Sequence, residues 1–384
     1  MIYLDHNATT PMATEVLEAM GPFLREQFGN ASSLHRLGRQ ARTAVEQARA
    51  SVARLLHAKP EELLWTSGAS ESNNIVLQSF AAWRGDRARH IVTSRIEHPS
   101  VLETCKTLER RGCRVTYVPV DRDGLVDPEA VRAAITDETA LVSIMHANNE
   151  VGTVQSVAAI GRICRERGVF FHTDAVQTAG LLPIDVRAMS IDLLSLSAHK
   201  WYGPKGVGAL YVRHDVPVHG LILGGHQEQG KRAGTENVPG IAGMGRAAEL
   251  AMIEQSSRAA RVAALRDRLW DGVRGIDGVH RNGHPTETLP GTLSVCVDGV
   301  DGESIVLALD GEGVCCSTGS ACSSGRMVPS HVLAAMGVEP SRAAGAIRFS
   351  VGRGNTAEEI DRAIALLPVM IKRVRALSGT VPVL

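Results

Sequence analysis

The chain has 384 residues, of which 41 are lysine or arginine and 41 are aspartate or glutamate, so its formal net charge at pH 7 is zero. This length predicts about two or three domains with a large buried core. The neutral charge and the aromatic content of only 4% argue against a surface that binds nucleic acid through basic residues and base stacking. The composition is typical of an ordinary globular protein.

The N-terminal sequence and the cysteines bear on the cellular compartment. The opening residues, MIYLDHNATTP, contain neither a basic leader nor an apolar signal segment. No stretch of the sequence reaches the roughly 18 apolar residues that cross a bilayer. The seven cysteines are odd in number and contain no C-x-x-C pair, which argues against a disulfide framework and a zinc ribbon. We therefore expect a cytoplasmic protein without membrane contact, whose cysteines are thiols.

Short β-rich runs alternate with helical stretches between about residues 60 and 215. A long helix is predicted before them, over 33–58, and two of the intervening helices over 100–111 and 156–167. This alternation predicts an α/β fold with a seven-stranded, mostly parallel sheet flanked by helices. The predicted strands are 63–66, 90–94, 114–118, 141–146, 169–174, 193–197 and 209–212.

The pattern changes after about residue 255. A helix over 261–273 precedes strands over 292–297 and 346–351, and a last helix over 356–377 opens with Thr356 and Glu359 at the spacing of a capping box. These elements predict a smaller α+β domain. We divide the chain into an N-terminal segment (1–13) that joins the small domain, a large cofactor-binding domain (14–255) and a small C-terminal domain (256–384).

Three segments at the ends of predicted strands are candidate cofactor sites. Ala69 and Ser70 follow a glycine and open a helix, which is either a phosphate site or a well-capped helix start. Lys200 follows the strand 193–197 and is either a Schiff-base lysine or a surface lysine. Asp174 ends an apolar strand and is either a partner for a protonated pyridine nitrogen or a helix N-cap.

Three further residues are candidates for the chemistry. His98 lies at the end of a strand and is either structural or catalytic. Arg348 lies within an apolar strand and needs an anion, either a substrate carboxylate or an internal acidic side chain. Cys322 lies among small residues and is either a nucleophile on a mobile loop, an incidental cysteine, or part of a metal site with Cys315 and Cys316.

Together these motifs resemble the cysteine desulfurases of the iron–sulfur-assembly and nitrogen-fixation type. That group is a branch of the class V aminotransferases, which are pyridoxal-phosphate enzymes of fold type I. The resemblance covers nearly the whole chain. It is carried, in order, by residues 3–11 (YLDHNATTP), 28–30 (FGN), 66–68 (TSG), 148–150 (NNE), 172–174 (HTD), 199–200 (HK), 232–237 (RAGTEN) and 319–322 (GSAC).

The resemblance implies a role for each candidate around the cofactor. Lys200 would form the Schiff base with pyridoxal 5'-phosphate and move protons. Asp174 would pair with the pyridine nitrogen, Gln177 with the phenolic oxygen, and His98 would stack on the ring and assist proton transfer. Further groups would hold the phosphate or the substrate. They are Ala69, Ser70, Ser197, His199 and, from the second subunit of a homodimer, Thr235 for the phosphate, and Asn149 and Arg348 for the substrate carboxylate, with Asn149 also contacting the cofactor.

The implied reaction converts L-cysteine to L-alanine. Cys322 would take the sulfur as a persulfide and pass it to an acceptor protein such as an iron–sulfur scaffold, where it would also be an iron–sulfur ligand during transfer. No other metal is expected. Cys315 and Cys316 stand where other members carry small or apolar residues, and their proximity in sequence suggests the hypothesis that they receive sulfur from Cys322.

Three alternatives remain open at this stage. A selenocysteine lyase or an aminotransferase for small amino acids would use the same cofactor, although transamination has no use for a thiol at position 322. A non-catalytic carrier of sulfur or of an iron–sulfur cluster would use Cys315, Cys316 and Cys322 as ligands, but would leave Lys200, Asp174 and His98 without a role.

Overall fold

The computed structural model describes residues 1–82, 90–319 and 330–378. Within them the chain forms a large sheet, two smaller sheets and the helices around them. The strands are β1 (Ile2–Tyr3), β2 (Leu63–Thr66), β3 (His90–Ser94), β4 (Arg114–Val118), β5 (Thr139–Ser143), β6 (Phe170–Asp174), β7 (Leu193–Ser197), β8 (Gly208–Val212), β9 (Val279–Asn282), β10 (Thr292–Val297), β11 (Val314–Cys315) and β12 (Ala346–Ser350). The helices are α1 (Thr14–Arg25), α2 (Arg36–Leu55), α3 (Ala69–Ala82), α4 (Pro99–Arg110), α5 (Pro128–Ala134), α6 (Val157–Arg167), α7 (Val238–Val273), α8 (Gly302–Gly311), α9 (His331–Ala335), α10 (Pro340–Ala343) and α11 (Ala357–Ser378).

The large sheet has seven strands in the order β2-β8-β7-β6-β5-β3-β4. Strand β8 runs antiparallel to both of its neighbours, and the other pairs are parallel. Strands β3, β5, β7 and β8 are buried along their whole length, because helices cover both faces of the sheet. The predicted α/β fold with a seven-stranded, mostly parallel sheet is confirmed.

The strand predicted over 141–146 lies two residues earlier, at Thr139–Ser143. Beyond Ser143 the N–H groups of Ile144 and His146 still donate to carbonyl oxygens of β6. On the other side, β3 pairs with β5 only as far as Ser143. After Ser143 the chain therefore keeps hydrogen bonds to β6 but has no further pairing with β3, and it turns out of the sheet at the edge where the strands end.

Helix α7 is much longer than the predicted helix over 261–273, since it begins at Val238. Its first turns are rich in glycine, which hides the helical pattern. A Cβ atom on Gly245 would lie 2.6 Å from the Cα of Ala48, so α7 packs directly on the backbone of α2. The predicted boundary between residues 255 and 256 falls inside α7, and the division into domains stays a prediction. None of the described helices, α7 included, is long and apolar enough to span a membrane.

The C-terminal elements form a second buried cluster around the antiparallel sheet β12-β10-β9. Ile2 and Leu4 from the N-terminus belong to this cluster, and β1 pairs in parallel with β11. Helix α11 opens with the predicted capping box. The Glu359 N–H donates to Thr356 Oγ1 and the Thr356 N–H donates to Glu359 Oε2, and each nitrogen–oxygen distance is 3.3 Å.

Candidate active site

A cavity of about 700 Å³ lies at the carboxyl edge of the large sheet. Its walls come from the segments that follow β2, β3, β5, β6 and β7, from the N-terminal segment and from β12. This is the place where open α/β sheets bind ligands. Ten of the predicted site residues line this one cavity: Ala69, Ser70, His98, Asn149, Asp174, Gln177, Ser197, His199, Lys200 and Arg348.

The remaining two predicted residues are not placed at this cavity. Thr235 is exposed and does not line it. Cys322 belongs to residues 320–329, which lie outside the described part of the chain. The roles of both residues therefore stay predictions.

The start of α3 is brought close to the sheet by two glycines. A Cβ atom on Gly208 would lie 2.6 Å from the Cα of Gly68, so β8 leaves no room for a side chain where α3 begins. The buried hydroxyl of Ser197 lies on the same side, within van der Waals distance of a Cβ built on Gly68. A helix start with unused N–H groups and a neighbouring hydroxyl is suited to bind a phosphate.

Asp174 supplies a buried carboxylate at the end of β6, with 6% of its surface exposed. Its Oδ2 accepts a hydrogen bond from Asn73 Nδ2 (2.8 Å) and its Oδ1 accepts one from the Val176 N–H (3.0 Å). Within the described part of the chain, no lysine, arginine or histidine forms an ion pair with it. A buried carboxylate is costly without a cationic partner, so the cavity is suited to a ligand that carries a positive charge at this point.

His98 is the N-cap of α4 and lines the cavity. Its Nδ1 accepts a hydrogen bond from the Ser100 N–H (3.1 Å) and lies 2.8 Å from Ser100 Oγ. Burial lowers the pKa of His98, and Lys200 and His331 lower it further against the opposing charge of Asp174. The ring is therefore neutral at physiological pH, and Nε2 is the nitrogen left for contacts in the cavity.

Lys200 ends the short 3-10 helix Ala198–Lys200 that follows β7. Its Nζ donates to the carbonyl oxygens of Asn7 (2.5 Å) and Ala8 (2.8 Å) in the N-terminal segment. Gln177 Nε2 also donates to the Asn7 carbonyl over 3.1 Å. The N-terminal segment thus fixes the amine and the amide side by side in the wall of the cavity.

His199 is tied to the same N-terminal segment. Its Nδ1 lies 3.1 Å from Thr9 Oγ1 and its carbonyl oxygen accepts hydrogen bonds from Thr10. Burial, together with the charges of Lys200 and Lys205, lowers its pKa to about 4. His199 is therefore a neutral group at physiological pH, which can donate or accept a hydrogen bond but supplies no charge.

Arg348 lies within β12 with 2% of its side chain exposed. Its Nη2 forms an ion pair with Asp5 Oδ1 at 2.6 Å, and its Nη1 donates to the carbonyl oxygen of Asn149 at 2.9 Å. The Nε atom is buried and has no hydrogen-bond partner among the described residues. The guanidinium therefore has the internal acidic partner that the sequence left open, and Arg348 also lines the cavity.

The two adjacent cysteines occupy different surroundings. Cys315 is partly exposed and its Sγ lies 3.6 Å from Asp310 Oδ1, whereas Cys316 is buried in the C-terminal cluster. Burial raises the pKa of Cys316 to about 12. Among the described residues no group of three histidine, cysteine or acidic side chains is arranged to hold a metal ion. The alternative of a three-cysteine site involves Cys322 and lies outside the described residues.

Four residues at or beside the cavity were given no role from the sequence: Asp5, Asn7, Asn73 and Ser100. The signal for Asp5 and Asn7 was present, because both belong to the N-terminal motif on which the resemblance rests. No local pattern marks Asn73 or Ser100, since their partners lie on other elements.

Comparison with known proteins assigns the chain to a family. The sequence pattern described as "Aminotransferase class-V" matches residues 2–363. The chain belongs to the class-V aminotransferases and, within them, to the cysteine desulfurase family. The cysteine desulfurase IscS of Dictyoglomus turgidum is 49% identical over 378 residues, which are 98% of this chain and 96% of the relative. That of Methanosarcina thermophila is 48% identical over 383 residues, 99% of this chain and 94% of the relative.

Solved structures of similar proteins share the fold. A NifS-like protein superimposes with a TM-score of 0.92 at 42% identity, covering 97% of this chain and 99% of the other. A structure described as SspA in complex with cysteine gives a TM-score of 0.83 at 39% identity, covering 92% and 99% of the two chains. The predicted family and fold are confirmed by these similarities.

Proposed function

We propose that the protein is a pyridoxal-phosphate-dependent cysteine desulfurase that forms L-alanine from L-cysteine and carries the sulfur on Cys322 as a persulfide. The observation that carries this proposal is the convergence of Lys200, Asp174, His98 and Arg348 on one cavity in a chain of the cysteine desulfurase family. A related structure described as a complex with cysteine supports the choice of substrate.

The residues of the cavity fit the cofactor. The buried carboxylate of Asp174, which has no ion-pair partner among the described residues, suits a protonated pyridine nitrogen. Ala69, Ser70, Ser197 and His199 would hold the phosphate at the start of α3, Gln177 would contact the phenolic oxygen, and His98 would stack on the ring. When bound, pyridoxal phosphate supplies an electron sink that lowers the barrier to proton removal from the substrate Cα.

The protein's own groups position the substrate and move protons. Arg348, which lines the cavity, would bind the substrate carboxylate, and Asn149 lies beside it. Lys200 would bind the cofactor and carry the proton between the substrate Cα and the cavity. His98 presents Nε2 to the cavity, because Ser100 occupies Nδ1. Because these groups are already held in position before the substrate binds, the reaction avoids the free-energy cost of reorienting water molecules around the reacting atoms.

In the proposed sulfur transfer, the Cys322 thiol takes the sulfur atom of the substrate. The Cys322 thiolate attacks the sulfur of the substrate, so an S–S bond forms while the bond between Cβ and sulfur breaks. The electron pair of the broken bond remains on Cβ, which takes up a proton. The net reaction is L-cysteine plus the Cys322 thiol giving L-alanine plus the Cys322 persulfide, without an external oxidant. A reductant or an acceptor protein releases the sulfur and restores the thiol.

The homodimer is part of the proposal. Thr235 is exposed and does not line the cavity of its own chain, which supports a role at the phosphate of a second subunit. The segment that carries it also exposes Leu223, with 84% of its surface accessible, and Phe28 is exposed to 72%. Leu223 follows two further exposed apolar residues, Leu221 and Ile222, and contiguous apolar surface is typical of an interface.

The acceptor and the location complete the proposal. We assign an iron–sulfur scaffold as the acceptor on the strength of the resemblance to the assembly-type desulfurases, with Cys322 as an iron–sulfur ligand during the transfer. The six described cysteines are all free thiols, which supports the reducing cytoplasm as the compartment.

The test is to incubate the purified protein with pyridoxal phosphate, L-cysteine and dithiothreitol, and to measure alanine and sulfide. Equal amounts of both products are expected from the wild type and neither from Lys200→Ala, with Lys106→Ala on the exposed face of α4 as the matched lysine control. Formation of 3-mercaptopyruvate without sulfide, in a parallel reaction that also contains a 2-oxo acid as amino acceptor, would instead show an aminotransferase and would overturn the proposal.

A further inference from the structure

A chain of hydrogen bonds links Asp174 to His98 behind the wall of the cavity. Asn73, on α3, is fully buried and does not itself line the cavity. Its Nδ2 donates to Asp174 Oδ2 at a distance of 2.8 Å and to Ser100 Oγ at a distance of 2.9 Å. Ser100 Oγ in turn lies 2.8 Å from His98 Nδ1. One amide therefore joins the two groups that flank the proposed cofactor ring.

The direction of each hydrogen bond in this chain follows from the chemistry of its members. An ionised carboxylate only accepts hydrogen bonds, so the amide nitrogen of Asn73 has to face Asp174. The second N–H of that amide donates to Ser100 Oγ, which leaves the hydroxyl hydrogen of Ser100 to point at His98 Nδ1. The backbone N–H of Ser100 donates to the same Nδ1 over 3.1 Å. Two donors meet at Nδ1, and the ring proton is left on Nε2.

We propose that Asn73 is a positioning residue for the reaction: it orients the carboxylate of Asp174 and, through Ser100, holds His98 in the tautomer that carries its proton on Nε2. The inference assigns the cavity-facing nitrogen of His98, Nε2, as an N–H donor in the neutral ring. The effect of this tautomer on the reaction rests on the proposed function. A proton on Nδ1 would disrupt both hydrogen bonds from Ser100, so Asn73 also disfavours the charged ring.

The first test compares Asn73→Ala and Ser100→Ala with Asn74→Ala. Asn74 is the next residue of α3, and its side chain bonds instead to Ser70 O and Thr104 Oγ1. We expect kcat for L-cysteine to fall about tenfold in both Asn73→Ala and Ser100→Ala, and KM to change less than about twofold. The double variant should lose little more than Asn73→Ala alone, because Ser100 acts on His98 through the same chain of hydrogen bonds. Asn74→Ala should behave like the wild type.

The pH profile separates positioning from a loss of packing. In Asn73→Ala the Ser100 hydroxyl is free to rotate and accept from a protonated Nδ1, so the acid limb of the kcat profile should move to higher pH. The charged or titratable groups that face His98 are Asp174, Lys200 and His331, and the substitution leaves all of them in place. An acid limb at the wild-type position would contradict the assignment of Asn73.

The tautomer itself is measured without turnover. Nitrogen-15 spectra of the histidine-labelled holoenzyme, with the His98 signals identified by their loss in His98→Gln, distinguish a proton on Nε2 from one on Nδ1. We expect Nε2–H in the wild type and in Asn74→Ala, and a mixture in Asn73→Ala. A proton on Nδ1 in the wild type would overturn the inference. If Asn73→Ala does not fold, Ser100→Ala removes the hydroxyl link between Asn73 and His98 and leaves only the backbone N–H on Nδ1, so a larger share of Nδ1–H is expected there too.

Failure of the inference is distinguishable from failure of the proposed function. If the protein forms no alanine from L-cysteine, the function is wrong while the spectra still decide the tautomer. If His98→Gln keeps full desulfurase activity, the function stands and the catalytic use of the hydrogen-bond chain is overturned.

Discussion

Asp5 and Arg348 form a partly buried ion pair, with 2.6 Å between Asp5 Oδ1 and Arg348 Nη2, although they lie 343 positions apart in the chain. The pair fixes the end of the guanidinium, and the carbonyl oxygen of Asn149 fixes its other terminal nitrogen. Only Nε is left without a partner among the described residues. The N-terminal segment thus fixes the orientation of the Arg348 guanidinium in the wall of the cavity.

Replacing Asp5 with asparagine should weaken substrate binding more than it slows the reaction. The amide keeps the size of the side chain but removes the charge that orients Arg348. We expect KM for L-cysteine to rise about tenfold in Asp5→Asn, and kcat to change less than about threefold. Steady-state kinetics of alanine formation measure both values.

The control for this variant is Asp361→Asn, which breaks the exposed pair between Arg268 and Asp361. Exposed ion pairs contribute little to stability, so this variant should match the wild type. A fall in kcat at constant KM in Asp5→Asn would contradict this prediction, because it would show that the pair between Asp5 and Arg348 does not act through binding of the substrate carboxylate.

Enlarging Gly208 should disturb the phosphate site. A Cβ atom there would lie 2.4 Å from the Leu196 carbonyl oxygen and 2.6 Å from the Cα of Gly68, and neither backbone atom can move freely. We expect Gly208→Ala to bind pyridoxal phosphate at least about tenfold more weakly and to lose about 1–3 kcal/mol of stability. Cofactor titration by absorbance and thermal unfolding measure the two effects. Gly275→Ala, where a Cβ meets no atom within 4 Å, should change neither, and equal affinity in both variants would refute the phosphate-site role.

Cys316 should not take part in sulfur transfer. Burial raises its pKa to about 12, with Asp5 and Cys315 adding to the shift against Arg348, so its thiolate is scarce at neutral pH. We expect iodoacetamide to modify Cys315 before Cys316, and Cys316→Ala to form alanine within about twofold of the wild-type rate. Peptide mass spectrometry after brief alkylation checks the order. A persulfide on Cys316 after turnover would restore the hypothesis that this residue receives sulfur.

Buried histidines should make the fold sensitive to acid. Burial lowers the pKa of His172 from 6.5 to about 4, and its ring lies between the hydroxyls of Ser143 and Ser195. Between those pH values the unfolded chain binds more protons than the folded one, so the free energy of unfolding falls as the pH decreases from 6.5 to 4. The full shift corresponds to about 1.4 kcal/mol per pKa unit.

The His172→Gln variant isolates that contribution. Its unfolding free energy, measured by urea titration at several pH values, should depend less steeply on pH, by up to about 1.4 kcal/mol per pH unit. The buried Glu97, whose raised pKa of about 8 acts in the opposite direction, is present in both proteins and cancels in the comparison. His214→Gln, at an exposed position, should keep the wild-type slope, and an unchanged slope in His172→Gln would contradict the buried, neutral state of His172.

The strands of the large sheet were predictable because each is a short apolar run between turn residues, as the agreement at β2, β3 and β7 illustrates. The start of α7 was not predictable, because Gly245 is a glycine on account of its contact with the backbone of α2, which the helical periodicity of the sequence does not show. A local sequence pattern predicts a single helix or strand, whereas a glycine of this kind is required by a contact between two of them.

The same distinction applies to the site. Lys200, Asp174 and His98 were predictable because each follows a strand, and the carboxyl ends of strands meet at one edge of the sheet. The tie between Asn73 and Asp174 spans 101 positions, and that between Asp5 and Arg348 spans 343. Such pairs depend on how the chain is packed, and no spacing in the sequence reveals them.

The role of Cys322 is tested most directly by measuring alanine from L-cysteine in the wild type and in Cys322→Ala, with dithiothreitol present and both proteins loaded with pyridoxal phosphate. The expected result is alanine with one sulfur atom added to Cys322 in the wild type, and no alanine from the variant although it retains the cofactor. Alanine formed by Cys322→Ala at the wild-type rate would contradict the assignment of Cys322 as the residue that takes the sulfur.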